Sequence, residues 1–172
     1  PSRRYSSMRD LRLLPSVTLV EADVNQPGLI ARLCEDVKPH GAVINLVGIL
    51  QDQVAKPYGP GFKRVHVDLP QVIIEAMKAK QLRRYLHMSA LGADSNGPSM
   101  YQRSKGDGEN RVRASGLDWT IFRPSVIFGE HDQFINTFAN LAKVFPVIPL
   151  AYSHAQFQPV SVNDVASAFV MA

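Results

Sequence analysis

A chain of 172 residues, 45% hydrophobic and 20% charged, has the size and composition of one soluble globular domain with a true core. Its single cysteine excludes an intrachain disulfide framework and fits a reducing compartment. The longest apolar run, 42–50, is broken by Asn45 and is far too short to cross a bilayer. No signal peptide is visible. The net charge of +4 comes without aromatic interleaving or a recognition motif, which argues against a nucleic-acid partner.

Residues 1–4 are too few to classify, although Arg3 and Arg4 could close a strand; 9–14 read as a short helix. The β-branched, apolar run 17–20 predicts a strand ending before Asp23. Asn25 and Pro27 form a helix start, and Leu29, Ile30, Leu33 and Val37 carry the helical spacing as far as the Pro39-His40-Gly41 stop. Residues 42–47 read as a second strand, apolar on both faces as a central parallel strand should be, followed by a loop over 51–60. Residues 62–80 are mostly helical, with Pro70 predicting a kink or a new first turn capped by Asp68. A third strand over 85–88 leads through a loop to a helix over 101–115, ended by Gly116. Residues 119–122 form a fourth strand, stopped by Pro124. A helix around 134–144, a short strand over 160–162 and a last helix opened by Asp164 complete the pattern. Alternating strands and helices predict an α/β fold, a doubly wound parallel sheet of Rossmann type.

In such a sheet ligands bind beyond the carboxyl ends of the strands, where this chain puts its unusual residues: Asp23, Asn45 to Gly48, Ser89, and Arg123-Pro124. Tyr101 and Lys105 stand four apart at a helix start, on one face. A nearby ammonium favours a phenolate, so the pair suits proton exchange with a carbonyl or alcohol. Taken alone the spacing is weak, and a packed Tyr101 with a solvated Lys105 is the bland alternative. The histidines at 40, 66, 87, 131 and 154 lack metal-ligand spacing and read as surface or satisfied core residues; no metal site is expected. Cys34 sits mid-helix without an activating base, and Phe134, Phe138, Leu141 and Phe145 read as core.

Ser89 followed by Tyr101-x-x-x-Lys105 resembles the active site of the short-chain dehydrogenase/reductase superfamily, and Arg123-Pro124-Ser125-Val126-Ile127-Phe128-Gly129 resembles its extended, epimerase/dehydratase-like branch. Ser89-Ala90-Leu91-Gly92-Ala93, Gly108-Glu109, residues 128–134 and Gln158-Pro159-Val160 are similar to the NADPH-binding accessory subunit family of respiratory complex I and its bacterial relatives. The resemblance runs from about residue 17 onward.

It implies Ser89, Tyr101 and Lys105 as catalytic residues, with Tyr101 as proton donor or acceptor and Lys105 lowering its pKa and holding the nicotinamide ribose. It implies cofactor contacts at Asp23 and Val24 (adenine), at Asn45, Leu46, Val47 and Gly48 (ribose and pyrophosphate), and at Arg123 and Pro124 (nicotinamide). NADP(H) is the expected cofactor, with NAD(H) as the alternative, because Arg3 and Arg4 fall where a basic residue meets a 2′-phosphate; a plain basic surface pair is the competing reading. The superfamily's Gly-rich turn is missing and would lie before Pro1, so the chain is expected to be a fragment lacking the first strand-helix unit, a poor dinucleotide binder by itself and marginally stable. Residues 125–172 are expected to begin the substrate-side region. Two functions stay open. One is an oxidoreductase acting on a small carbonyl or alcohol. The other is a non-catalytic accessory subunit bound to other complex I subunits. The expected location is cytoplasmic or peripheral to the inner membrane in a bacterium, and the matrix side in a mitochondrion.

Overall fold

The computed structural model describes residues 10–130, 132 and 157–172. Strands β1 (Ala42–Asn45), β2 (Arg84–Met88) and β3 (Asp118–Phe122) form a parallel sheet in the order β1-β2-β3, with Ala42 opposite Arg84 and Arg84 opposite Asp118. The β1-to-β2 crossover contains a helical turn α2 (Pro60–Phe62), a π-helical segment (Lys63–Asp68) and helix α3 (Leu69–Ala79). Helix α4 (Met100–Arg113) makes the β2-to-β3 crossover. Two-residue strands β4 (Ile127–Phe128) and β5 (Val160–Ser161) form a separate parallel pair, and helix α5 (Val162–Met171) follows.

Alternation along β2 sends Tyr85 and His87 to one face and Leu86 to the other. On the first face Tyr85 joins Ile30 and Cys34 of α1 (Leu29–Glu35), Leu69, Ile73 and Met77 of α3, and Val112 of α4 in one apolar cluster. The second face is covered by α5, whose Phe169 stacks on Phe122 with ring centroids 3.9 Å apart. Arg84 Nη2 also donates to the Ala172 carbonyl at 2.5 Å. Helices on both faces of a parallel sheet make the doubly wound architecture that the alternation predicts.

Several local expectations change. Residues 17–20 carry no strand, and a single bridge occurs at Glu21; among the described residues this β-branched run has no ladder. The first helix begins at Leu29 rather than Asn25, because Asp23 Oδ1 accepts from the Asn25 backbone N–H at 3.0 Å and closes a turn before Gly28, which has φ 76°. β1 is four residues long, with Ile44 50% exposed, since among the described residues only β2 pairs with it. The bend foreseen at Pro70 is a six-residue π segment: the Leu69 N–H bonds to the Arg64 carbonyl, five residues back. Widening the turn there accommodates a ring that would clash with the carbonyl four residues earlier. Asp68 pairs with Lys63 at 2.6 Å instead of capping α3, and Ser161 rather than Asp164 caps α5. The expected helices over 9–14 and 134–144 lie wholly or partly outside the described residues; Asp10–Leu13 is a 3-10 turn.

Helix α4 starts on a capping box, with Ser99 Oγ accepting from the Gln102 backbone N–H at 3.1 Å and Gln102 Oε1 accepting from the Ser99 N–H at 3.2 Å. Two of its glycines are required by close approach. A Cβ at Gly108 would collide with the His66 carbonyl, and one at Gly106 with the Ser95 amide. Gly108→Ala is therefore expected to destabilise the full-length protein by about 2 kcal/mol or more, whereas Arg111→Ala on the exposed side of the same helix should stay within about 0.5 kcal/mol. Urea unfolding of the two variants makes the comparison.

Candidate functional site

The carboxyl ends of β1, β2 and β3 and the start of α4 enclose a cavity of about 780 Å³. Its polar lining is Ser89, Tyr101, Lys105, Ser125 and Asp132, and Ile49, Leu50, Leu91, Val126, Ile127 and Phe157 are among the apolar residues around it. Ser89 is fixed there because ladder bonds continue beyond β2: its N–H donates to the Phe122 carbonyl at 2.7 Å, and the Leu91 N–H to the Pro124 carbonyl at 2.8 Å. The Ser89 side chain is buried, and its hydroxyl is the one buried side-chain polar atom among the described residues without a hydrogen bond of acceptable geometry. Buried polar atoms are normally paired, and this one lies against the Glu109 carboxylate, whose pKa it helps to lower.

Lys105 is 5% exposed, and its Nζ donates to the Met88 carbonyl at 3.0 Å. Burial pulls its pKa down to about 8, although the Glu109 carboxylate works in the opposite direction. Tyr101 is half-buried, with Lys105 Nζ 6.0 Å from its ring centroid. Burial raises the phenol above its ordinary value, so the lowered pKa expected from the neighbouring ammonium is not found in the protein by itself. The reason is burial of the phenol, the one cause of its shift.

The remaining predicted contacts divide between two places. Leu46, Gly48 and Pro124 line the large cavity, whereas Val24, Asn45 and Val47 line a separate apolar groove of about 230 Å³ between α1 and the outer edge of β1. Asn45 is buried and donates to the Tyr85 hydroxyl at 3.3 Å, while its Oδ1 accepts from the Val47 N–H at 3.1 Å. Asp23 is engaged in the turn before α1. Arg123 does not line the cavity; its Nε donates to Glu109 at 2.8 Å and its Nη2 to the same carboxylate and to the Ala93 carbonyl. Arg3 and Arg4 lie outside the described residues.

Two residues that sequence reasoning passed over hold this region together. Glu109, fully buried, takes Arg123 and, at 2.6 Å, Arg113. Burial alone would raise its carboxyl, but hydrogen bonds from Arg123, the proximity of Ser89 and a bond from Arg113 outweigh this and keep it ionised. His66, on the π segment, accepts from the Ile49 N–H at Nε2 (3.1 Å) and meets Ser104 Oγ at Nδ1 (2.8 Å). No sequence spacing points to either arrangement, since His66 and Ser104 are 38 residues apart. Among the described residues no group of His, Cys, Asp and Glu could hold a metal, and no helix is long and apolar enough to cross a membrane.

An NAD(P) nicotinamide-ribose end fits this wall: Lys105 has protons beyond the one given to Met88, and Gly48, Ser89 and Tyr101 line the same cavity. A family model described as NAD(P)H-binding matches residues 2–143, and the chain belongs to that family. It is 34% identical over 161 residues to mouse mitochondrial NADH dehydrogenase [ubiquinone] 1 alpha subcomplex subunit 9, covering 92% of this chain and 41% of that protein. It is 29% identical to the ceramide reductase of Caulobacter vibrioides, covering 90% of this chain and 46% of that one. The chain thus spans under half the length of these curated relatives. Among solved structures, the dTDP-glucose 4,6-dehydratase DesIV of Streptomyces venezuelae, with NAD bound, superposes with a TM-score of 0.78 at 17% identity, covering 98% of this chain and 58% of that one, and so shares the fold.

The buried histidines give a pH prediction. Burial first, then the Lys105 ammonium, hold His66 down to about 3 and His87 to about 4, against an ordinary 6.5. Both are neutral in the fold and charge on unfolding below pH 6.5, so their contribution is complete above that pH and is lost as pH falls toward 4. Each is expected to cost about 2 kcal/mol of stability by pH 5. Unfolding free energies of the full-length protein at pH 7 and pH 5 test this, and a His87→Asn variant should show a distinctly flatter dependence.

Proposed function

We propose that this domain forms the nucleotide half of an NADP(H)-dependent oxidoreductase site acting on a carbonyl or alcohol. The observation that carries the reading is that Ser89, the Tyr101 phenol and the Lys105 ammonium line one cavity at the strand ends. The cofactor, when bound, supplies or accepts the hydride. The Ser89 hydroxyl donates to the substrate oxygen and orients it. The Tyr101 phenol gives its proton to that oxygen in reduction and recovers it in oxidation. Lys105, anchored by the Met88 carbonyl, holds a ribose hydroxyl, and a ligand that drew it closer to Tyr101 would oppose the burial that raises the phenol. Asn45 to Gly48, with Asp23 and Val24, border the nucleotide. Arg123 acts through Glu109, and Pro124 opens residues 125–172 as the substrate side. Arg3 and Arg4 favour NADP(H) over NAD(H).

The apolar lining of the cavity supports a hydrophobic substrate, in keeping with a relative named ceramide reductase. A second reading rests on the relatives named as mitochondrial NADH dehydrogenase subunits: the domain holds nucleotide to stabilise a complex I assembly, on the mitochondrial matrix side in eukaryotes, and Tyr101 and Lys105 merely fix the ribose.

Tyr101→Phe separates the two. In the full-length protein the variant should keep NADPH affinity within about twofold while ketone-dependent NADPH oxidation falls at least about 100-fold. Absence of turnover in the unaltered protein over a panel of alkyl ketones would favour the assembly reading.

A further inference from the structure

We infer that His66 is a positioning residue for the nucleotide: from the π segment it pins the Gly48–Ile49 loop to helix α4, so that the loop and the Tyr101–Lys105 pair move as one body. The hydrogen bonds run in one direction. The Ile49 N–H donates to Nε2, so Nε2 is bare and the ring proton is on Nδ1. Nδ1–H then donates to Ser104 Oγ, and the Ser104 hydroxyl donates to the Tyr101 carbonyl at 2.9 Å. Every atom in this chain is used once, and His66 and Ser104 are 2% and 0% exposed.

Packing fixes the ring as firmly as the hydrogen bonds. The imidazole lies stacked on Phe62 at 5.3 Å and edge-on to Tyr101 at 5.6 Å between centroids. Gly108 lets α4 press against the His66 carbonyl itself. π-helical turns are rare and widen the backbone locally, which is what turns this side chain inward between β1 and α4. At the far end of the chain of bonds, a Cβ on Gly48 would lie 3.5 Å from Lys105 Nζ and 3.7 Å from His66 Nε2, so the turn is seated directly over the ammonium. This role rests on nucleotide binding, not on turnover, and holds under either reading of the site.

Two conservative substitutions divide the imidazole's functions. A glutamine amide reaches as far as Nε2 and can accept from Ile49; an asparagine amide reaches only as far as Nδ1 and keeps Ser104. In the full-length protein, His66→Gln should retain NADPH affinity within about threefold by titration calorimetry, and His66→Asn should lose about tenfold, the effect of one hydrogen bond. Amide hydrogen exchange of residues 48–50 without nucleotide should be faster in the asparagine variant by a similar factor, with matched melting temperatures. Equal exchange in the two variants, or affinities that track melting temperature instead of side-chain reach, would overturn the proposal. If the unaltered protein bound no NADPH, the nucleotide reading would fall by itself, and the exchange comparison would still decide the tether.

Discussion

Helix α4 buries a polar face, and the rest of the structure is arranged to make that possible. Its sequence holds two apolar side chains, Met100 and Val112, besides Tyr101, yet Ser104, Lys105, Gly106, Gly108, Glu109 and Val112 are all buried. Apolar burial cannot drive such a helix home, and each buried polar atom must find a partner or cost several kcal/mol. The partners come from every neighbouring element: the Met88 carbonyl of β2 for Lys105, Arg123 after β3 for Glu109, and His66 of the π segment for Ser104. The glycines at 106 and 108 bring the backbones close enough for these bonds to form.

The same arrangement sets the electrostatics of the cavity. A buried ammonium, depressed to about 8, stands beside two histidines that it helps to keep neutral, while an ionised carboxylate one turn further along the helix restrains the depression. Cation and anion are each held by backbone or by guanidinium, with the Ser89 hydroxyl beside the carboxylate. A site built this way can take up a proton donor and acceptor from a ligand without first breaking an internal bond.

The layout was legible from local rules, and the interior was not. Strands β2 and β3 were visible as short β-branched and aromatic runs between turn residues, and Ser89, Tyr101 and Lys105 were picked out by strand-end position and helical spacing; the structure sets these three around one cavity. The Ser99-x-x-Gln102 capping box, a local signal that starts this helix at Met100, went unread. The π segment was invisible because no composition encodes it, and Pro70 announced only a disturbance. The pairs His66–Ser104 and Arg123–Glu109 join residues 38 and 14 apart through tertiary packing. The direction of the Tyr101 shift was misread for a related reason: spacing gives the proximity of a charge but not the burial that outweighs it.

The central claim is that Lys105, seated between the Met88 carbonyl and the Gly48 turn, is a nucleotide contact and not a buried structural cation. Calorimetric titration of NADPH into the full-length protein and its Lys105→Met variant tests it most directly. Methionine keeps most of the buried stem and removes a desolvated charge, so the variant should be at least as stable as the original while binding NADPH at least about tenfold more weakly. Unchanged affinity in a stable variant would contradict the account.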